Sequence, residues 1–145
     1  MKFLFPFVFL LLTLFIASCQ RKDQVPSPPQ LIGKWQLNKY YSGWTGKYVS
    51  AQELPYKEYY QFDQDSTFKK YRSNGVETKG SYSMKELGEV YYIYLTYVSE
   101  TDLHKQSLQR SCNATEWDMQ LSTDIGLVQD DSPCDGPAKH YQKVD

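Results

Sequence analysis

The chain has 145 residues, with 16 Lys and Arg against 17 Asp and Glu and a net charge of −1. That length holds one domain of the ordinary size of about 100–200 residues. A charge so close to zero excludes the basic footprint of a nucleic-acid binder and gives no pull toward anionic headgroups. All 13 Tyr and all three Trp follow Cys19, a composition that favours strands over helices.

Met1-Lys2 gives a positive start, and residues 3–16 are apolar apart from Pro6 and Thr13. Ala17-Ser18-Cys19 follows. A charged start, an apolar run and small residues read as a secretory signal peptide over residues 1–18. The run is shorter than the roughly 20 residues that a membrane-spanning helix needs. Ile16-Ala17-Ser18-Cys19 resembles the bacterial lipobox. That resemblance implies that Cys19 carries a diacyl group on sulfur, becomes the new N-terminus and is acylated on nitrogen. Several acyl chains anchor a protein durably, at about 0.8 kcal/mol per buried CH₂. The alternative is an ordinary signal peptide cut after Ala17 or Ser18. Residues 19–30 carry three prolines, Pro26, Pro28 and Pro29, and read as an extended tether. Lys22-Asp23 loosely resembles the export signals of Bacteroidetes surface lipoproteins. A solvated linker is the alternative. The expected location is the cell envelope, lipid-anchored in the outer membrane, with the leaflet open.

From Leu31 onward the signal is alternation of period two. In the first strand Leu31, Gly33, Trp35, Leu37 and Tyr41 share one face, against Lys34, Gln36 and Asn38. Residues 50–54 read as one helical turn. Over residues 56–63, Tyr60 and Phe62 fall together against Lys57 and Gln61. Asp63-Gln64-Asp65-Ser66 reads as a turn and residues 67–72 as a strand. Ser73-Asn74-Gly75 reads as a hairpin turn. Residues 76–84 place Gly80, Tyr82 and Met84 on one side. After a turn at Leu87-Gly88-Glu89, residues 90–98 read as a strand buried along most of its length. Residues 103–112 offer an extra strand. Over residues 116–122, Trp117, Met119 and Leu121 alternate with Glu116, Asp118 and Gln120. Residues 125–129 and 138–144 complete a set of about eight strands, an all-β chain that folds as an up-and-down antiparallel barrel over residues 31–145.

Leu31-Ile32-Gly33-Lys34-Trp35 resembles the G-x-W opening strand of lipocalins. Phe62-Asp63-Gln64-Asp65-Ser66-Thr67-Phe68, Gly80-Ser81-Tyr82, and Cys134-Asp135-Gly136-Pro137 followed by Tyr141-Gln142-Lys143-Val144 are similar to motifs of the lipocalin-like domain lipoproteins of the Bacteroidetes type. The resemblance implies an eight-stranded barrel whose open end holds a small apolar ligand. In true lipocalins a late arginine packs on the Trp of G-x-W. Here the last strand offers Lys139 and Lys143 instead. Gly33 would admit a close backbone neighbour, and Trp35 would plug the barrel floor.

An eight-stranded barrel is nearly filled by its side chains or holds one small ligand. Facing alone nominates Trp35, Tyr60, Phe62, Tyr82 and Trp117 as the lining of a ligand site. The chain has no G-x-S-x-G, H-E-x-x-H, C-x-x-C or glycine-rich phosphate loop, and His104 and His140 lie far apart. The expectation is a binding protein, not an enzyme, with no cofactor and no metal. Asp130, Asp131 and Asp135 lack the ligand spacing of a calcium loop and read as a solvated turn. Cys112 and Cys134 fall at one barrel end if residues 125–129 are a return strand, and a bridge then forms. If that segment is a loop, the ends diverge. Tyr56, Tyr59, Tyr60, Tyr91, Tyr92, Tyr94 and Tyr97 split between the core and an outer aromatic surface. Trp44, in the loop Ser42-Gly43-Trp44-Thr45-Gly46, is a candidate anchor for a protein partner. The alternative function is therefore an envelope structural or protein-interaction module with a filled barrel.

Overall fold

The computed structural model describes residues 31–110, 112 and 115–144. The signal peptide, Cys19 and the tether expected over residues 1–30 lie outside the described residues. Nine strands run in chain order: β1 (Gly33–Ser42), β2 (Lys47–Ser50), β3 (Glu58–Phe62), β4 (Thr67–Arg72), β5 (Glu77–Leu87), β6 (Val90–Tyr97), β7 (Met119–Ser122), β8 (Gly126–Asp130) and β9 (Ala138–Val144). Every pairing is antiparallel, between successive strands from β3 to β9, with β1 joining β3 on one side and β9 on the other. This is a closed up-and-down barrel of eight strands, as the alternation predicts. The ninth strand, β2, folds back on the far half of β1, pairing Ser42 with Lys47 through Lys39 with Ser50. It is four residues long and exposed apart from half-buried Val49, so it leaves no alternating apolar pattern to read. The extra strand expected over residues 103–112 is instead helix α1 (Leu103–Gln106), capped by the Asp102 side chain on the His104 N–H. A 3₁₀ turn over Ala51–Glu53 matches the expected helical turn. No helix among the described residues is long and apolar enough to cross a membrane.

The core follows the inward phase of each strand. Leu31, Trp35, Leu37, Tyr60, Phe62, Phe68, Ile93, Met119, Leu121 and Leu127 are buried together. The two barrel ends differ. At the floor, where the described chain enters at Leu31, Trp35 Nε1 donates to the Leu31 carbonyl at 2.8 Å. The Lys143 ammonium lies over the indole, 5.7 Å from the ring centroid, and occupies the place that the resemblance gives to an arginine. Gly33, at φ +121°, makes this possible, because a Cβ there would stand 3.0 Å from Lys143 Cε. Its close neighbour is thus a side chain, not the backbone expected from the sequence. The close backbone approach is at Gly80, where a Cβ would come within 2.0 Å of the Thr96 carbonyl oxygen.

Three strands depart from the expected pattern. A bulge between Leu37 and Lys39 shifts β1 against β9. Tyr41 consequently leaves the face of Leu37 and packs edge-on against Tyr48, 5.3 Å away on the outer hairpin. Met84 is 47% exposed, because β4 pairs with β5 only from Glu77 to Ser81 and leaves the end of β5 beyond the barrel wall. Strand β6 is buried at Tyr91 and Ile93 but only half-buried on the alternate positions, so it has one wet face.

At the opposite end, the mouth, the long connection from β6 to β7 is tied to the β8–β9 loop. Strand β8 is the return strand that brings the two cysteines together. Cys112 and Cys134 form a disulfide with a Cα–Cα distance of 5.6 Å across a separation of 22 residues. Replacing both cysteines with alanine should lower unfolding stability by about 3 kcal/mol, the loop-closure value for a ring of this size. Urea denaturation of oxidised wild type against the double variant measures it.

Candidate functional site

The mouth is built from inward positions of the strands that carry the core. Strand β3 continues the phase of Phe62 and Tyr60 to Glu58, and β4 continues that of Phe68 to Lys70 and Arg72. Glu58 pairs directly with Arg72, and Tyr60 with Lys70. Strand β9, separated from β3 only by β1, adds Lys139 and Tyr141. The apolar stripe of each strand thus gives way to charge within the last turn of the pleat.

Glu58 is 1% exposed and gathers four donors. Its Oε1 accepts from the Tyr141 hydroxyl at 2.8 Å and from Lys139 Nζ at 3.2 Å. Lys70 Nζ lies 3.6 Å from the same oxygen. Its Oε2 accepts from Arg72 Nε at 2.9 Å. Burial works to raise this carboxyl's pKa, but Lys70, Lys139, the Tyr141 hydroxyl and Arg72 together hold it well below the usual carboxylate range. Glu58 therefore stabilises the fold above about pH 4.5, and that contribution is lost on acidification.

A second layer extends the network. Gln129 Oε1 accepts from the Tyr60 hydroxyl at 3.0 Å and from Lys70 Nζ at 3.3 Å. The Tyr60 and Tyr97 hydroxyls meet at 3.3 Å. Gln129 Nε2 donates to Asp131 Oδ2 at 2.7 Å. Asp131 is held in turn by Arg110, whose Nε donates to Oδ1 at 2.8 Å. Arg110 also donates to Thr115 Oγ1 at 2.7 Å, to Asp118 Oδ1 at 3.3 Å and to the carbonyls of Asp130 and Trp117. It thereby knits together the loops that the disulfide joins. Among the described residues, no buried side-chain nitrogen or oxygen lacks a hydrogen-bond partner. Burial pushes the hydroxyls of Tyr60, Tyr97 and Tyr141 up from their ordinary pKa, so all three remain neutral donors.

Lys70 is 1% exposed. Burial, then the nearby Lys139, pull its ammonium from 10.5 down to about 7, against the upward effect of Glu58. The unfolded chain holds that proton up to about pH 10.4, so the folded state releases it first. Stability should therefore rise between pH 7 and 10, by up to about 1.4 kcal/mol per pH unit from this group. Lys70→Met should flatten that segment of the profile. Urea midpoints at half-unit pH steps read the difference between the two proteins.

Four of the five nominated lining residues are inside. Trp35, Tyr60, Phe62 and Tyr82 are all buried. They interlock and so fill the space they were expected to line. Tyr60 stacks on Phe62 at 5.5 Å, and Phe62 meets Tyr82 edge-on at 5.2 Å. Tyr60 meets Tyr141 edge-on at 5.2 Å, and Phe68 meets Tyr97 edge-on at 5.2 Å. Trp117 is not brought to them. It packs edge-on against Tyr92 on the outer face at 4.7 Å. Strand β7 starts only at Met119, and Asp118 spends its carboxylate on the Leu95 N–H at 2.6 Å, so the alternation does not reach back to residue 117.

The outer tyrosines form their own contacts: Tyr59 stacks on Tyr71 at 5.1 Å with the Lys34 ammonium 4.4 Å from its ring. His140 lies beside Tyr48 at 5.5 Å, and burial and Lys39 lower its pKa. No group of three metal-ligating residues occurs among the described residues. Of the residues that sequence reasoning missed, Glu58, Lys70, Gln129 and Lys139 each sit two positions along from an inward aromatic or aliphatic residue, and Arg72 sits four along from Phe68. That phase was the available signal. Comparison of the chain with protein families, curated proteins and solved structures returns no match, so the meaning of this site rests on its own chemistry.

Proposed function

We propose that this chain is a lipid-anchored bacterial envelope protein that acts by binding, with a lipocalin-like barrel held off the membrane by the tether after Cys19. It performs no catalytic step and uses no cofactor. The observation that carries this reading is the contrast between the two barrel ends. The floor, where the described chain begins at Leu31, is sealed by Trp35 and the packed rings. The mouth, at the far end, gathers the charged network and the long loops. Recognition therefore belongs to the mouth and its loops, not to an apolar chamber, since the nominated interior residues pack on each other. The lipocalin resemblance and the lipobox-like Ile16-Ala17-Ser18-Cys19 support the reading of family and anchor.

The test of the anchor is metabolic labelling with palmitate in a bacterial host. Wild type should take up label and fractionate with membranes. Cys19→Ala should lose the label. Absence of label from wild type, or its persistence in the variant, rejects the reading. A small neutral apolar ligand should leave the melting temperature unchanged. A saturable rise, by mass action on the folded state, would instead place such a ligand inside the barrel.

A second reading has its own observation. Trp44 is 98% exposed at the tip of the β1–β2 hairpin. A bare indole at a loop tip is the residue type that anchors protein interfaces. If a protein partner docks there, Trp44→Ala should weaken that complex while leaving the melting temperature as it is.

A further inference from the structure

Inside the mouth, three cations crowd one carboxylate. Lys70, Arg72 and Lys139 all come within 3.6 Å of Glu58. The next acids in the network, Asp131 and Asp118, share Arg110 at 2.8 and 3.3 Å, which leaves the four cations Lys70, Arg72, Lys139 and Arg110 against three carboxylates among the described residues. Positive charge is therefore in surplus in a place where water screens it poorly. The surplus is reachable, because the side chains of Arg72 and Lys139 are 16% and 18% exposed while Glu58 and Lys70 are sealed beneath them. Arg72 gives Glu58 only its Nε, the one arm of its fork that makes a hydrogen bond among the described residues. Its Cζ lies over the Tyr56 ring, 4.3 Å from the centroid, a cation–π contact that restrains the guanidinium. A guanidinium restrained in this way, with its one hydrogen bond among the described residues made through Nε, suits bidentate capture of an oxyanion by its Nη groups. Lys139 spends one of its three donors on Glu58.

We propose that Arg72 and Lys139 form an oxyanion-binding rim at the barrel mouth, which takes the carboxylate or phosphate group of a small ligand. This rests on the reading of the mouth as the binding end and names the chemistry of what binds there. Glu58 is the internal counterion that holds the cations in place when the rim is empty. The ligand's anion neutralises what Glu58 cannot.

The experiment uses the full-length protein in detergent, titrated with sodium phosphate or sodium acetate against sodium chloride at matched ionic strength. The melting temperature should rise saturably with phosphate or acetate and not with chloride. A response to phosphate alone identifies a phosphate group, and a response to acetate alone identifies a carboxylate. Arg72→Gln should weaken the apparent affinity at least about tenfold. Arg72→Lys, which keeps the charge without the fork, should recover only part of it. Lys69→Gln, on the outer face against Glu77 at 3.5 Å, should leave it unchanged.

A loss in Arg72→Gln could also come from a loosened barrel, so the deciding variant is Glu58→Gln. It increases the surplus charge and should tighten oxyanion binding by about tenfold or more. A purely structural network would lose stability in this variant without gaining any dependence on the anion. Equal effects of phosphate, acetate and chloride on wild type, or no gain in Glu58→Gln, overturn the proposal. Palmitate labelling at Cys19 stands or falls independently, so failure of the rim and failure of the anchored-protein reading are told apart.

Discussion

At pH 6, where Lys70 of the wild type still holds its proton, Glu58→Gln should destabilise the barrel by about 3–5 kcal/mol in chloride buffer, the cost of removing one partner from a buried ion pair. The amide keeps the shape of the side chain and can still accept from Tyr141, so the loss reports charge and not volume. Three cations then face each other with no counterion within hydrogen-bond distance among the described residues, and two of them, Lys70 and Lys139, both approach the oxygen that was Oε1. The penalty is one of desolvation. Lys70 has no route to water, whereas Arg72 and Lys139 can swing outward. Adding Lys70→Met to Glu58→Gln should therefore recover a large part of the loss, because it removes the one cation that cannot escape. Urea denaturation of the two single variants and the double variant closes the cycle, and a coupling energy near zero would contradict it.

Trp35→Ala should cost about 3–5 kcal/mol, the range for a large aromatic removed from a core. The indole is buried at the floor, its N–H is satisfied by the Leu31 carbonyl, and Lys143 covers one of its faces. Alanine removes the plug, takes the donor from the Leu31 carbonyl and takes the ring from beneath Lys143. Trp35→Phe retains most of the apolar area and loses the hydrogen bond, so its cost should be nearer about 1–2 kcal/mol. Lys143→Met tests the cation above the ring. An exposed cation–π contact is worth about 0.5–1 kcal/mol, and methionine keeps the packing. Chemical denaturation followed by tryptophan fluorescence reads all three variants. A Trp35→Ala cost below that of Trp35→Phe would show that the floor is not packed on this ring.

Alternation identified the barrel strands because each has one face on a shared core, and a period-two pattern survives wherever that holds. It failed where the condition lapses. Strand β2 has no buried face of its own beyond half-buried Val49. Met84 lies on a stretch of β5 that its neighbour β4 does not cover. Tyr41 follows a bulge that swaps the faces of β1. Trp117 precedes the first paired residue of β7. In each case the missing information is where a partner strand begins or ends, which no single segment carries. The site was half legible. Glu58, Lys70, Arg72 and Lys139 continue the inward phase of residues that were placed correctly. A charged residue in that phase reads, taken alone, as the solvated end of a strand.

The order of apolar and polar residues along this chain determined by itself that it is all-β, where its main turns lie and that Trp35, Tyr60, Phe62 and Tyr82 face inward, because those features depend on local pattern and on burial common to every strand. Only closure of the barrel decided that Glu58 on β3 is surrounded by cations from β4 and β9, residues up to 81 positions away, and that Cys112 meets Cys134. Charges of opposite sign find each other across a barrel only once its register and curvature are set, and the low-dielectric interior then makes those few contacts govern the mouth.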